Sequence, residues 1–126
     1  MPPKRVLSVG QCGADHPAIY RMIRQYFDAE VELADTFDEA LRKLRQEPFD
    51  LVLVNRILDA DGSSGMELIK QIKADTALRN LPVMLVSNYD HYQEEAVKEG
   101  AVKGFGKGAL GQPQTIARLK SYLNEK

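Results

Sequence analysis

The chain has 126 residues, about one ordinary domain and enough to bury a core without disulfide or metal staples. Its 17 basic and 18 acidic side chains are interspersed and leave a formal net charge of −1, so the basic stripe that direct nucleic-acid binding requires is missing. A single cysteine, Cys12, excludes an internal disulfide; with no signal-peptide core and no apolar run of membrane-spanning length, a soluble cytoplasmic protein is expected.

Val6 to Val9 form a short apolar run that reads as the first strand. Ile19, Met22, Ile23, Tyr26 and Phe27 then recur at i, i+3, i+4, i+7 and i+8, and Asp15 or His16 ahead of Pro17 starts that helix. Val31-Glu32-Leu33 is a second strand. Thr36 with Glu39 fits a capping box for a helix whose apolar face is Phe37, Ala40, Leu41 and Leu44, closed by Pro48. Leu51 to Val54 is uninterruptedly apolar, as a parallel strand covered on both faces should be, and it runs into Asn55. A loop through Gly62-Ser63-Ser64-Gly65 leads to a helix burying Leu68, Ile69 and Ile72. Pro82 to Ser87 is a fourth strand, Tyr92 to Glu99 a short helix stopped by Gly100, Val102 to Phe105 a fifth strand, and Gln114 to Leu123 a last helix. Five β-then-α units of this length imply an α/β domain with a doubly wound parallel sheet and right-handed crossovers, its functional groups gathered at the C-terminal strand edge.

Four strings in this order resemble the receiver domain of bacterial two-component response regulators, the CheY-like superfamily, over essentially the whole length. Asp50-Leu51-Val52-Leu53-Val54-Asn55 resembles the family's third strand entering its phosphorylated aspartate, and Gly65-Met66-Glu67-Leu68 the start of its third helix. Leu81-Pro82-Val83 through Ser87 resembles its fourth strand ending in Ser or Thr, and Gly100-Ala101 followed by Lys107 its Gly-Ala-x5-Lys pattern. The resemblance implies a flavodoxin-like (βα)5 fold with strand order 2-1-3-4-5, filled by one domain over residues 1–126. It also implies a role in phosphorelay signalling, with a histidine kinase or an output protein as partner and no enzymatic activity of its own.

Receiver chemistry needs an aspartate carboxylate as nucleophile, with Mg²⁺ held by an acidic pair and the phosphoryl oxygens held by Ser or Thr and Lys. Here the acceptor position is Asn55, and a carboxamide is no nucleophile for phosphate, so a degenerate pseudo-receiver is expected. Ser87 and Lys107 keep the phosphoryl-contact positions. Counting from the first strand places Gly10 and Gln11 at the acidic pair; counting back from the first helix, Ala14-Asp15-His16-Pro17 resembles an Asp-Asp-His-Pro start and retains Asp15. The loop after Asn55 is about two residues longer than usual and brings Asp59 and Asp61 forward as pocket candidates, while the switch aromatic is absent at Gly104 or displaced to Phe105. No cofactor is expected, and Mg²⁺ at most weakly.

Plainer roles compete for each of these residues. Asn55 fits a strand-end hydrogen bond, Lys107 a solvated charge or a partner of Asp15, Asp59 or Asp61, and Ser87 a cap for the following loop. His16 and His91 have no second ligand at metal spacing, and a lone cysteine is usually a small apolar residue. Asp59 and Asp61 before Gly62 lack the terminal glutamate of a calcium loop, and the glycines around Lys107 lack the Ser or Thr of a phosphate-binding loop. Three functions follow: a stand-alone module acting through protein contacts; a receiver with altered chemistry that binds phosphate or a metal through Lys107, Ser87, Asp15 and Asp59; or a flavodoxin-like ligand binder, for which no flavin phosphate loop is visible. For the first, the fourth helix, fifth strand and fifth helix offer Tyr92, Lys98, Lys103, Phe105 and Lys107 as a partner face.

Overall fold

The computed structural model describes residues 2–126. Five strands, β1 (Lys4–Val9), β2 (Ala29–Ala34), β3 (Leu51–Asn55), β4 (Val83–Val86) and β5 (Val102–Phe105), alternate with five helices, α1 (Asp15–Tyr26), α2 (Phe37–Gln46), α3 (Gly65–Ala74), α4 (Asp90–Lys98) and α5 (Pro113–Lys120). All strand pairs are parallel and the order across the sheet is β2-β1-β3-β4-β5, the topology expected from the sequence.

Alternation along the central strands explains their unbroken apolar sequences. Leu7, Val9, Val52, Val54, Val83 and Leu85 face a layer formed by α2, α3 and α4 through Ala40, Leu44, Leu68, Ile69, Ile72 and Ala96. Val6, Leu51, Leu53, Met84 and Val86 face the opposite layer, built by Ile19, Met22 and Ile23 of α1 and Leu119 of α5. With period 2 and both faces covered, the apolar runs of β1, β3 and β4 are interior on alternate sides. The outer bounds of β1 and β2 extend beyond the apolar runs, because Lys4, Arg5 and Glu30 pair through backbone groups irrespective of side-chain polarity.

Local signals account for the helix starts. Thr36 accepts the amide of Glu39 at 3.2 Å, while the Glu39 carboxylate reaches back to the amide of Asp35 at 2.9 Å, one residue ahead of the ordinary capping-box partner. Ser64 caps α3 by accepting the amide of Glu67 at 3.4 Å, and Pro113 opens α5 at a position where its missing N–H costs nothing. The last helix ends earlier than its spacing predicts: Tyr122 and Leu123 fold back onto the Leu119 carbonyl in a terminal turn that still buries Leu123.

Candidate functional site

The C-terminal strand edge is organised around the Gly10 carbonyl. Gly10 has φ +75°, and a Cβ there would lie 2.9 Å from Leu58 Cα. Neither backbone nor space admits a carboxylate side chain at this position. Its carbonyl accepts the Asn55 Nδ2 at 3.0 Å and the amide of Asp59 at 3.0 Å, so Asn55 ties the end of β3 to the loop after β1 rather than to its own following loop. With Nδ2 committed, Asn55 Oδ1 is left as an acceptor.

Lys107 opens a single 3₁₀ turn after β5, and its Nζ lies 2.6 Å from Asp15 Oδ2 at the start of α1. Cys12 donates its thiol to the same oxygen at 3.1 Å. The Lys107 ammonium, and after it the Cys12 thiol, hold the Asp15 carboxyl below the usual carboxylate range against the opposing cost of burial. Of the two alignments open in the sequence, the one counted from the first helix therefore brings an acid to the lysine. Beside this pair a cleft of about 250 Å³ is lined by Asn55, Arg56, Ile57, Ser87, Asn88, Tyr89 and Lys107, with Val86 beneath.

Other expected site residues lie elsewhere. Gln11 is 3% exposed and its amide nitrogen and oxygen both lack hydrogen-bond partners, so it is a buried loop residue. Asp59 and Asp61 are exposed and do not line the cleft: Asp59 contributes its backbone amide to Gly10, and Asp61 accepts the amide and hydroxyl of Ser63 at 2.9 and 2.6 Å in a local turn. Within the expected pocket loop Asp61 thus closes an Asx turn with Ser63, and neither acid lines the cleft.

Neither Gly104 nor Phe105 presents an aromatic ring at the surface. A side chain at Gly104 would run into the Leu85 carbonyl, and Phe105 is a core residue packed with Val86 and Leu119. The proposed partner face loses its aromatics as a consequence. Tyr92 packs inward against the α2–α3–α4 layer with the Arg56 guanidinium 4.4 Å over its ring, whereas Lys98 and Lys103 share an exposed groove of about 450 Å³ with Asp90, Gln93, Glu94 and Val97. Lys107 belongs to the strand-edge cleft instead.

Three residues of this region escaped the sequence reading. Arg56 and Asn88 line the cleft; both directly follow a residue singled out as a strand end, Asn55 and Ser87, and that adjacency was the available signal. Gln93 is the third: 6% exposed, it donates to the carbonyls of Leu85 at 2.9 Å and Ser87 at 3.1 Å and accepts the amide of Gly104 at 2.9 Å. It locks α4 onto β4 and β5 where their register shifts. A polar residue three before the inward Ala96 marks it in the sequence.

The Mg²⁺ that receiver chemistry calls for does not fit these donors. Asp15 has its charge answered by Lys107 at 2.6 Å, Gly10 carries no side chain, and Asn55 is neutral. Among the described residues no group of three or more His, Cys, Asp or Glu side chains could hold a metal ion.

Comparison with known proteins agrees with the topology. A family model described as the response regulator receiver domain matches residues 14–120. The polar-differentiation response regulator DivK of Brucella ovis is 31% identical over 88 residues, which is 69% of this chain and 70% of that protein. A response regulator from Thermotoga maritima has the same fold with TM-score 0.76 at 23% identity, over 95% of this chain and 97% of that one. The receiver domain of sensor histidine kinase PA1611 from Pseudomonas aeruginosa PAO1, whose structure has a magnesium ion coordinated in the active site cleft, gives TM-score 0.69 at 19% identity over 94% and 93% of the two chains. A parallel 2-1-3-4-5 sheet, a serine and a lysine beside the end of β3, and a family match over most of the sequence together place this chain in the response regulator receiver domain family of two-component signalling.

Proposed function

We propose that this receiver domain is a pseudo-receiver: a signalling module that does not take phosphate by the aspartyl route and acts by docking to another protein. The observation that carries this reading is Asn55 at the end of β3, a carboxamide whose nitrogen is bound to the Gly10 carbonyl where receiver chemistry needs an anionic oxygen. A docking module needs only shape and charge on an accessible face. Lys98 and Lys103 beside Val97, which is 46% exposed, offer such a surface on α4 and β5 for an acidic patch of a histidine kinase or output protein. A cytoplasmic location accords with the single, unpaired Cys12.

Incubation with acetyl phosphate and Mg²⁺ tests the chemistry, read by intact mass. The mass is expected to stay unchanged. A gain of one phosphoryl group that maps to this edge overturns the pseudo-receiver reading.

A further inference from the structure

Arg56 is a cation at the rim of the strand-edge cleft whose charge nothing answers. Lys107 is paired with Asp15 at 2.6 Å, whereas Arg56 takes part in none of the ion pairs among the described residues. It is half-buried, with its guanidinium 4.4 Å over the Tyr92 ring, and no carboxylate lines the cleft beside it. A guanidinium partly withdrawn from water and held on an aromatic face has lost hydration without gaining an anion, so it favours one brought from outside. The same cleft exposes apolar surface: Ile57 is 42% and Tyr89 58% exposed, and both line it with Arg56. Both are held in place. Ile57 sits in an antiparallel bridge with Ser64, and the amide of Tyr89 donates to Ser87 Oγ at 3.3 Å. The Tyr89 ring meets Tyr92 edge-on with centroids 6.0 Å apart, so Tyr92 orients both the guanidinium and the exposed ring. Side chains fixed in this way lose little entropy when a partner covers them.

These features select among occupants. An inorganic anion would meet Arg56 but leave Ile57 and Tyr89 in water. A nucleic acid needs a run of cations where this cleft has two, one of them paired to Asp15. A carboxylate side chain beside a large apolar one meets both halves: the planar carboxylate matches the guanidinium fork, and the apolar group covers Ile57 and Tyr89. We infer that Arg56, Ile57 and Tyr89 form a docking site for a protein segment that carries an aspartate or glutamate next to a large apolar residue. The contact needs neither Ser87 nor Lys107. It rests on the pseudo-receiver reading, in which no acyl phosphate competes for the cleft, and it gives an acidic partner an anchor separate from the groove of Lys98 and Lys103.

The test is an NMR titration of the isotope-labelled protein with the capped peptide Ser-Asp-Leu-Asp-Leu-Ser, and with two controls in which Asn replaces each Asp or Ser replaces each Leu. Saturable amide shifts at Arg56, Ile57 and Tyr89 are expected with the first peptide, and each control is expected to bind about tenfold more weakly, the worth of a charge-assisted pair or of one buried apolar anchor. Arg56→Gln and Tyr89→Ala should each weaken the first peptide by about the same factor, roughly tenfold. Because the control peptides leave the protein unchanged, they decide the matter even where a substitution disturbs the fold. An equal concentration of inorganic phosphate should not displace the peptide. Equal affinity for the first peptide and either control, displacement by phosphate, or no saturable shift in the folded parent overturns the inference. Shifts confined to Val97, Lys98 and Lys103 overturn this site and leave the docking reading standing. Failure of the pseudo-receiver reading is read separately, as a phosphoryl mass gain after acetyl phosphate.

Discussion

Asp15 and Lys107 answer each other's charge at the C-terminal strand edge, and their pairing has a measurable signature. The folded carboxyl is held below its ordinary value, chiefly by Lys107. A depressed carboxylate stabilises the fold above its unfolded pKa of about 3.9 and loses that contribution as pH falls through the folded value. Replacing Lys107 by Gln should move the Asp15 titration upward toward the ordinary range and remove the part of the acid-side stability profile that Lys107 supplies, leaving the Cys12 thiol at 3.1 Å as the weaker partner. Side-chain carboxyl NMR shifts followed through an acid titration read this directly. An Asp15 midpoint identical in parent and variant would mean that the two groups do not pair in solution.

At the scale of elements, Gln93 has the largest leverage relative to its size. It satisfies two carbonyls and one amide between α4, β4 and β5, at the point where β4 and β5 drop out of simple register between Met84 and Val86. Gln93→Leu keeps the volume but leaves the Gly104 amide and the Leu85 carbonyl buried without partners, for an expected loss of roughly 2–3 kcal/mol in urea unfolding with little change in slope. A loss well under 1 kcal/mol would show that water or a backbone shift replaces the amide. The same region shows what a sequence can and cannot disclose. The β3 and β4 runs were legible because both faces of those strands are covered, and α1 and α2 because their apolar residues repeat at helical spacing. Gln93 broke the apolar pattern of α4 without announcing its three partners, which lie 6 to 11 residues away in sequence on other elements. Asn55, Ser87 and Lys107 were legible as one cluster through their order along the chain. Which acid reaches Lys107 stayed open among Asp15, Asp59 and Asp61, and the register between Gly10 and Asp15 depends on a positive φ and on Leu58 packing over Gly10, both set by tertiary structure. Likewise, Asp59 and Asp61 had the right composition for a pocket loop, but Ser63 turns that loop upon itself.

For the molecule as a whole, the two strand edges divide the labour. At the N-terminal edge Arg5 joins β1 to the chain around β2 and β3: its guanidinium pairs with Glu32 and, at 2.8 Å, with Glu47, and lies 4.5 Å over the Phe49 ring. That end carries these ion pairs and a cleft of about 190 Å³ against Phe27, Asp28, Ala29 and Glu30, while the C-terminal edge carries the cleft lined by Arg56, Lys107 and Tyr89. Restoring the family's acceptor by Asn55→Asp therefore asks more of the protein than one atom. The new carboxylate loses the hydrogen bond to Gly10 and sets an anionic oxygen against the Gly10 carbonyl, which also accepts from Asp59. Arg56 and Lys107 offset part of that repulsion, yet the metal that would organise a phosphodonor still lacks its acidic pair, because Gly10 admits no side chain and Asp15 is occupied by Lys107. The variant is expected to be about 1–2 kcal/mol less stable than the parent, the cost of one lost hydrogen bond and an opposed acceptor. With acetyl phosphate and Mg²⁺ it should label only substoichiometrically. Complete, magnesium-dependent labelling of Asn55→Asp would instead mean that Asp15 leaves Lys107 for the metal, and that a single substitution separates this protein from a working receiver.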